Sequence, residues 1–482
     1  MKRINPTAAQ IANSPAAKLA AKLASSPAAK MMNSQMTKVA PQIINPEIAK
    51  AATQISRIAQ PYAEALQKFS HIEWIGKIPK HWGMCRIKNW ASFINGFAFK
   101  SNELTTDKLV PVIRISDIQN GNLDYTSCLT FDYSNRLQAY LIKHNDIIIA
   151  MSGATTGKTA LVKSDAMAYI NQRVGIIRNA EKYIYYCLNT DMFSEYVNLL
   201  SAGSAQPNIS MEQILNFSIP YIPKEKQQAI ADYLDGECAR IDGIVTTQRQ
   251  IIERLKEYKK SVITEAVTRG LNPDVPMKDS GIEWIGDIPA HWEVTKLKTN
   301  FAYEKGKNAA LYTKEYVGLH KGSYPVYSGQ TEDNGIMGTI DTFDYDLEEC
   351  VFSTTVGAKV MTPMYLSGKF SLSQNCLIMK PIGTYLCKML YYCLEPLFDY
   401  ERKLIPSYMQ PSLRFSDLNK YCLPQPPISE QQAIADYLDK ECARIDTIIE
   451  KRERMIELMT EYKKSLIYEC VTGKKEIVDV ME

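Results

Sequence analysis

The sequence predicts an α+β protein in which two mixed α/β domains are separated by two long antiparallel coiled-coil helices, with pseudo-twofold symmetry. Two internal repeats carry this prediction. Residues 227–261 return as residues 431–465, shifted by 204 positions, and residues 72–82 return as residues 282–292, shifted by 210. The stretches between the repeats are far less alike. We call the repeated segments the frame and the dissimilar stretches between them the inserts. Two nearly identical copies of a frame around two different inserts are typical of a symmetric scaffold that presents two different surfaces.

The composition is that of a globular protein of two or three domains. The chain has 482 residues, of which 45% are hydrophobic and 10% aromatic, and its 28 Tyr favour a wet binding surface. The eleven Cys are scattered and form no Cys-x-x-Cys pair, which predicts reduced thiols in a cytoplasmic protein and no metal site. No apolar run reaches the roughly 18 residues that a membrane span needs, so we expect no contact with a membrane.

The charge is unevenly distributed along the chain. The net charge is +3, but residues 1–70 carry nine Lys or Arg against two Glu, which leaves about −4 for the rest. Binding of nucleic acid by bulk charge is therefore excluded, and any contact needs local basic patches. We interpret residues 1–70 as a basic, Ala- and Ser-rich extension, largely disordered or a marginal helix. A basic tail that helps hold DNA, a transit peptide and a segment without a role remain alternatives.

The second half of each repeat predicts a long helix. Residues 225–269 contain no Pro, and their apolar positions are spaced alternately by four and three, which is a heptad pattern. Pro residues precede both helices, and Gly270 and Gly473 follow them. Two positions of this heptad seam are polar in both copies and are expected to set the register of the helix pair. They are Gln248 and Lys259 in the first helix and Arg452 and Lys463 in the second. Ordinary core helices are the alternative. The seam residues, which we also expect to bind partners, are Leu234, Ile241, Ile252, Leu255 and Val262 in the first helix and Leu438, Ile445, Ile456, Met459 and Leu466 in the second.

The order of insert, helix, insert and helix gives the domain boundaries. An antiparallel helix pair with one domain at each end satisfies this order. The predicted segments are the extension 1–70, a first domain 71–222, a first helix 223–271, a linker and second domain 272–426, a second helix 427–475 and a tail 476–482.

The inserts are predicted to be rich in β-strands with short helices. Apolar, β-branched runs predict strands, and two further segments read as helices. The predicted strands are 109–115, 146–150, 174–177, 350–352 and 376–379, and the predicted helices are 194–201 and 384–397.

A glycine-bearing turn at residues 152–159 resembles a phosphate-binding loop of nucleotide-binding proteins. That motif needs four residues between its glycines, and this turn has three between Gly153 and Gly157. We therefore favour a contact with a nucleic-acid phosphate, made by backbone N–H groups and by Lys158. The matching turn of the second half carries Lys359.

Each turn is followed by an amide-rich stretch that we interpret as a strand. Gln, Asn and Arg pair bidentately with adenine and guanine edges, although solvated strand residues are an alternative reading. The candidate base contacts are Gln172, Arg173 and Gln374. Further candidates for DNA contact, with plain core or surface positions as the alternative, are Phe99, Lys100, Lys305 and Lys307. The Trp pairs of the shorter repeat are expected to pack each insert against a helix.

The sequence predicts no catalytic site of its own. The five His show no ligand spacing, and we find neither a glycine-rich cofactor site nor the catalytic loop of an adenine methyltransferase. We expect no metal and no cofactor. The chain reads as a recognition protein.

Taken together, these motifs resemble a known family. The repeated opening with Glu73, Trp74, Gly76 and Trp82, the glycine turn, the amide-rich stretch and the Gln-Gln-Ala-Ile-Ala opening of each helix are similar to the specificity subunit of type I restriction-modification systems. The resemblance covers about residues 71–475. It implies two target-recognition domains that read a bipartite site in double-stranded DNA in a prokaryotic cytoplasm. It also implies two methyltransferase subunits and the restriction subunits, which translocate and cut, as partners.

Two other functional classes remain open at this point. A free-standing regulator that binds a bipartite DNA site would need no catalytic partners. A carbohydrate- or protein-binding adaptor would not protect DNA at all.

Overall fold

The structure is a computed structural model that describes residues 67–69 and 75–477, apart from positions 120, 164, 202–205, 330–331, 358 and 407. The predicted extension, except for residues 67–69, lies outside the described residues, as do the first residues of the shorter repeat and most of the tail. The chain divides into two compact units. We call Met1–Val245 with Glu457–Glu482 the first unit and Thr246–Ile456 the second unit. Within the described part of the chain, no helix is long and apolar enough to cross a membrane.

The first unit is a mixed α and β structure of short strands. Its strands are β1 (Gln67–Phe69), β2 (Lys77–Pro79), β3 (Gly83–Arg86), β4 (Ser92–Asn95), β5 (Val110–Ile113), β6 (Ile118–Gln119), β7 (Asn122–Leu123), β8 (Leu129–Phe131), β9 (Ile147–Ala150), β10 (Thr159–Leu161), β11 (Tyr169–Ile170), β12 (Val174–Arg178) and β13 (Ser218–Tyr221). Its short helices are α1 (Lys182–Leu188), α2 (Asp191–Ser201) and α3 (Met211–Asn216).

Two sheets form the core of the first unit. One has the antiparallel order β10-β9-β12-β4, and the other has the order β11-β5-β8, in which β11 and β5 run parallel. All four residues of β9 are buried, which explains its uninterrupted apolar sequence. Ile148 and Ile176 meet in a core with Ile113, a residue of the other sheet. The predictions of strands at 109–115, 146–150 and 174–177 are confirmed.

The second unit contains longer strands. They are β14 (Met277–Asp279), β15 (Asp287–Pro289), β16 (Glu293–Lys296), β17 (Phe301–Lys305), β18 (Lys321–Tyr327), β19 (Ile336–Ile340), β20 (Tyr345–Thr354), β21 (Pro363–Leu372), β22 (Cys376–Pro381) and β23 (Cys422–Gln425). The short helices are α5 (Leu297–Asn300), α6 (Lys314–Leu319), α7 (Cys387–Leu404) and α8 (Phe415–Leu418). These bounds confirm the strands predicted at 350–352 and 376–379 and a helix in the predicted region 384–397.

A six-stranded sheet of order β17-β22-β20-β21-β18-β19 dominates this unit. The second half of its central strand β20, residues 350–354, is buried on both faces: Val351 packs with α7, and Phe352 joins a separate cluster on the other face. The two units therefore hold different sheets, as expected from the divergence of the inserts.

Each unit closes its insert with the same two-stranded pairing. In the first unit β3 pairs with β13, so that Gly83 faces Tyr221, and in the second unit β16 pairs with β23, so that Glu293 faces Gln425. The chain thus enters and leaves each insert at one place, directly before a long helix.

The long helices are α4 (Lys224–Arg269) and α9 (Ile428–Val471), of 46 and 44 residues. Both begin after the Pro-rich segments as predicted. Gly270 and Gly473 follow their ends with φ of +75° and +71°, the left-handed conformation that glycine adopts most easily after a helix. The predicted seam is largely buried: Leu255, Ile456 and Met459 are half-buried, and the other named seam residues are buried.

Segments of both long helices contact each other within each unit. In the first unit Lys463 of α9 bonds Asp242 of α4 at 2.7 Å. In the second unit Lys259 of α4 bonds Asp446 of α9, also at 2.7 Å. One of the two polar seam positions, Lys259 and Lys463, therefore forms ion pairs between the helices, and the other, Gln248 and Arg452, is joined by a hydrogen bond of 3.0 Å.

The second Trp of each repeat packs against the end of a long helix. A Cβ added at Gly473 would lie 2.8 Å from the ring of Trp82, and one added at Gly270 would lie 3.0 Å from the ring of Trp292. Trp292 also donates to Glu430 of α9 at 2.8 Å. The predicted packing role is confirmed for these two residues.

Candidate nucleic-acid interface

Three segments that are distant in sequence meet in the first unit. The Met151 N–H donates to the Arg173 carbonyl at 2.9 Å, and the Gly153 N–H donates to the Pro207 carbonyl at 2.9 Å. The Ile209 N–H returns to the Met151 carbonyl, also at 2.9 Å. We call residues 151–158, 171–173 and 206–209 the first turn cluster.

The second unit repeats this arrangement on its unrelated sheet. The Thr355 N–H donates to the Asn375 carbonyl at 2.8 Å, and the Leu413 N–H donates to the Thr355 carbonyl at 2.8 Å. Val356 forms an isolated β-bridge with Ser412. We call residues 354–362, 373–375 and 410–413 the second turn cluster. The frame positions the same three turns in both units, although the strands that lead to them differ.

The amide-rich stretches are turns, so the prediction of strands there was wrong. β11 ends at Ile170 and β12 begins at Val174, whose N–H donates to the Asn171 carbonyl at 2.8 Å and closes a tight turn. In the second unit Asn375 has φ of +64°, a left-handed conformation that Asn tolerates and that ends a strand. The exposed side chains of Gln172, Arg173 and Gln374 therefore project from strand ends and not from a sheet face.

The glycine turn uses its backbone amides internally. Besides Gly153, the N–H groups of Thr156, Gly157 and Lys158 donate to carbonyl oxygens of the protein at 3.1, 2.8 and 2.9 Å. These four N–H groups are therefore not available to bind a phosphate, contrary to the prediction. The side chain of Lys158 is exposed, as is that of Lys359, so the two ammonium groups stay as predicted phosphate contacts.

A residue that the sequence analysis missed holds the second glycine turn. Met361 is buried with φ of +59°, which is unfavourable for a side chain of this kind. The Arg402 guanidinium donates to the Met361 carbonyl at 2.7 Å, and the Thr354 hydroxyl donates to the Lys359 carbonyl at 2.6 Å. The turn that carries Lys359 is thus pre-organised. No local signal indicates Arg402, because it lies 41 residues from Met361 along the chain.

Gly96 and Gly306, which correspond at the shift of 210, allow a further segment with predicted DNA contacts to pack closely against or beside each turn cluster. A Cβ at Gly96 would lie 1.9 Å from the Asn171 carbonyl oxygen, and one at Gly306 would lie 2.4 Å from that of Leu372, so neither position has room for a side chain. The segments that follow these glycines carry Lys100 in the first unit and Lys307 in the second.

The structure corrects one predicted contact in these segments. Phe99 is buried in a cluster with Val112 and Tyr169, and its ring lies 5.0 Å from that of Phe131. Its apolar ring completes a core, so we remove it from the candidate contacts. Lys100 is exposed and lies 3.4 Å from Glu103.

Lys305 and Lys307 are exposed and have aromatic neighbours. The Lys305 ammonium lies 5.8 Å from the Phe415 ring centre. The Lys307 ammonium lies 4.7 Å from the Tyr345 ring centre and donates to the Asp344 carbonyl at 2.9 Å. Both stand at the end of β17, beside the second turn cluster.

A Lys-Asp-Tyr triad anchors each insert to a long helix. In the first unit Asp235 of α4 accepts from Lys182 and from the Tyr186 hydroxyl of α1, both at 2.5 Å. Burial and this hydrogen bond raise the pKa of Tyr186 well above its usual range. The sequence analysis missed these residues.

The second unit carries the equivalent triad. Asp439 of α9 accepts from Lys388 and, at 2.7 Å, from the Tyr392 hydroxyl. The recurrence of Lys and Tyr at a constant shift of 206 positions, beside the shift of 204 in the helices, was a usable signal.

Both halves of the chain match the same protein-family model. The model of the type I restriction modification DNA specificity domain matches residues 79–257 and 289–458, which is more than half of the chain. Each match runs through one insert and into the long helix that follows it.

Individual relatives agree with this match. The chain is 28% identical over 205 residues to the MjaVIII type I restriction enzyme specificity subunit of Methanocaldococcus jannaschii, covering 40% of this chain and 47% of that protein. It is 26% identical over 219 residues to the StySPI specificity subunit of Salmonella potsdam, covering 43% and 47%. The matches to these two relatives therefore span about half of their length. A putative specificity subunit of M. jannaschii, MjaX, is 24% identical over 428 residues, covering 83% of this chain and 95% of that protein.

A solved structure shows the same fold. A chain from a type I R-M system, studied for its complex assembly and conformational transition, superposes with a TM-score of 0.62 at 15% identity. The superposition covers 83% of this chain and all of the other.

Proposed function

Because this chain belongs to the family of type I restriction modification DNA specificity domains, we propose that it is the subunit that gives such a complex its DNA sequence specificity. It binds a bipartite double-stranded DNA target, and each unit reads one half-site. It carries no catalytic site and scaffolds the subunits that methylate and cut DNA.

One observation supports this function most directly. The two turn clusters share their backbone connections and each exposes a Gln, Gln172 or Gln374, but the next exposed side chain differs: it is Arg173 in the first cluster and Asn375 in the second. A constant turn geometry with variable amide and guanidinium side chains suits a surface that reads different base pairs with one docking mode. Lys158 and Lys359, beside these side chains, supply charge for phosphates.

We propose that α4 and α9 form an antiparallel coiled coil that separates two target-recognition domains about a pseudo-twofold axis. The pairs Lys463–Asp242 and Lys259–Asp446 support this, because they are the same pair with the helices exchanged. Gln248 also accepts from Arg452 at 3.0 Å, and these residues occupy matched positions, 204 apart. A contact between matched positions is expected where a twofold axis crosses a helix pair.

The proposed domains follow the closing strands. The first target-recognition domain is 71–222 and the second lies within 272–426, each followed by a long helix. Exposed faces of the helices are the proposed docking surfaces for two methyltransferase subunits, and restriction subunits join that assembly. Double-stranded DNA is the third partner.

Reconstitution with a modification subunit tests this function. The chain, co-purified with a methyltransferase subunit of a type I system, is incubated with S-adenosylmethionine and random-sequence DNA, and methylated positions are sequenced. We expect one bipartite motif with an unread gap. Strong sequence-specific binding by the chain alone, without methylation in the mixture, would favour the free-standing regulator instead.

A further inference from the structure

A loop of the second unit exposes apolar side chains beside the turn cluster. Tyr408 is 86% exposed, the highest value among the large hydrophobic side chains of the described residues, and Met409 is 54% exposed. Leu404, at the end of α7, is 60% exposed. Exposed apolar groups gathered on one loop need a partner that would cover them.

The loop leads directly into the second turn cluster. The Met409 N–H donates to the Pro406 carbonyl at 2.9 Å, which closes a turn with Tyr408 near its tip. Four residues after Met409, the Leu413 N–H bonds the Thr355 carbonyl of the cluster. The loop with Tyr408 is therefore continuous with the second turn cluster, which contains Lys359 and Gln374.

The charge around this loop favours a nucleic acid over a protein partner. Lys403 and Arg414 are exposed on either side of the loop, and residues 402–414 contain no Asp or Glu. Arg402 is held by Asp399 and by the Met361 carbonyl, and Lys403 lies 3.4 Å from Asp399. A basic segment with exposed aromatic and apolar side chains has the composition of a surface that contacts phosphates and bases together.

We propose that Tyr408 and Met409 form a wedge that enters the DNA beside the second turn cluster, where the Tyr408 ring inserts at a base step and partly unstacks it. This inference rests on the proposed function. Apolar side chains open base steps in this way, and an aromatic ring replaces part of the lost stacking. The Met409 side chain fills the space next to the ring.

The wedge belongs to one half-site only. At the shift of 204 positions that relates the two halves, Ser204 and Ala205 stand where the second half has Tyr408 and Met409. Neither Ser nor Ala can replace the stacking area of Tyr. The half-site bound by the first unit is therefore expected to keep its base stacking.

Fluorescence of 2-aminopurine tests the wedge in the complex with the modification subunit. The probe is a duplex carrying the motif found by methylation sequencing, with 2-aminopurine moved stepwise through each half-site. We expect the emission to rise at a step of the second unit's half-site, as assigned by domain exchange. Tyr408→Ala is expected to abolish the rise and to weaken binding of the motif about tenfold. Binding of a scrambled duplex should change little.

Two further variants make the result specific. Tyr408→Phe keeps the ring and should keep both affinity and emission. Ile382→Ala removes a side chain that is 63% exposed but follows the opposite end of β22 from the turn cluster, and it should have no effect. Thermal unfolding of all three variants is expected to match the parent, since these side chains are largely exposed.

Several outcomes would overturn the wedge. The first is that Tyr408→Ala keeps both the rise in emission and the affinity for the motif. The second is that it loses affinity equally for the motif and for the scrambled duplex. The third is that it assembles more weakly with the modification subunit while the assembled complex binds DNA normally. The last result would assign the loop to a protein partner. If the parent complex does not prefer its motif over the scrambled duplex, the proposed function itself fails, and that failure is visible before any variant is made.

Discussion

At the scale of single residues, the two ammonium groups of the glycine turns are expected to contact phosphates. Lys158→Ala and Lys359→Ala should each weaken binding to all DNA sequences alike and reduce the slope of log affinity against log salt by about one unit. Binding of target and scrambled duplexes across a salt series measures this. Lys163→Ala is the control, because Lys163 follows the opposite end of β10 and donates to Asn122 at 3.0 Å. A selective loss on the target with Lys158→Ala would contradict the assignment.

The amide and guanidinium side chains of the turns are expected to behave differently. Replacing Gln172, Arg173 or Gln374 by Ala should each cost about 1–3 kcal/mol of discrimination, if these side chains reach base edges. Only the half-site of the altered unit should lose specificity, because each side chain belongs to one turn cluster. Methylation sequencing with each variant measures the relaxed position. Unchanged motifs for Gln172→Ala and Gln374→Ala would place the reading surface elsewhere.

The Lys-Asp-Tyr triads are expected to stabilise the attachment of each insert to its helix. Asp235→Ala leaves a partly buried Tyr hydroxyl and a Lys without their shared acceptor, which should lower the free energy of unfolding by about 1 kcal/mol. Asp439→Ala should have a similar effect in the second unit. Asp232→Ala is the control, because Asp232 lies on an exposed face of the helix and accepts a bond from Gln228 one turn away. Urea unfolding measures the difference, and equal stability of Asp235→Ala and Asp232→Ala would refute the anchoring role.

At the scale of elements, the length of the helix pair is expected to set the unread gap in the target. One heptad inserted after Val245 and one after Ile456 would keep the Lys463–Asp242 and Lys259–Asp446 pairs within their units. At a rise of about 1.5 Å per residue, the gap should lengthen by about three base pairs while both half-sites stay the same.

Methylation sequencing of the reconstituted complex reports the new gap. As a control, a heptad inserted after Val245 alone shifts the two helices against each other and should destabilise the protein. A gap that stays constant in a stable double-insertion variant would show that the helices do not determine the spacing.

At the scale of the whole molecule, the inserts are expected to be exchangeable. The closing pair of β3 with β13 shows where to cut: exchange of residues 83–222 moves both strands together, whereas a boundary inside β3 would separate Gly83 from its partner Tyr221. An insert from another family member should change one half of the bipartite motif and leave the other half intact. Sequencing of methylated DNA decides this. Changes in both halves, or loss of folding with several donors, would contradict modularity.

The frame of the molecule can be read from local sequence patterns. Repeats at shifts of 204 and 210, the heptad spacing and the Pro and Gly at the helix ends predicted both long helices to within a few residues. The buried strands could also be predicted from the sequence, because a strand that is covered on both faces appears as a short apolar run such as β9. These signals are local, so one sequence suffices to read them.

Which residues form the candidate interface became clear only from the folded chain. It buried Phe99, turned the amide-rich stretches into strand connections and placed Arg402 against Met361. It also brought three turns together in each unit. Whether a polar residue lies on a strand face or in a turn, and which distant segment packs against it, depends on how strands pair across dozens of residues. That pairing is set by the complete core and not by any local pattern.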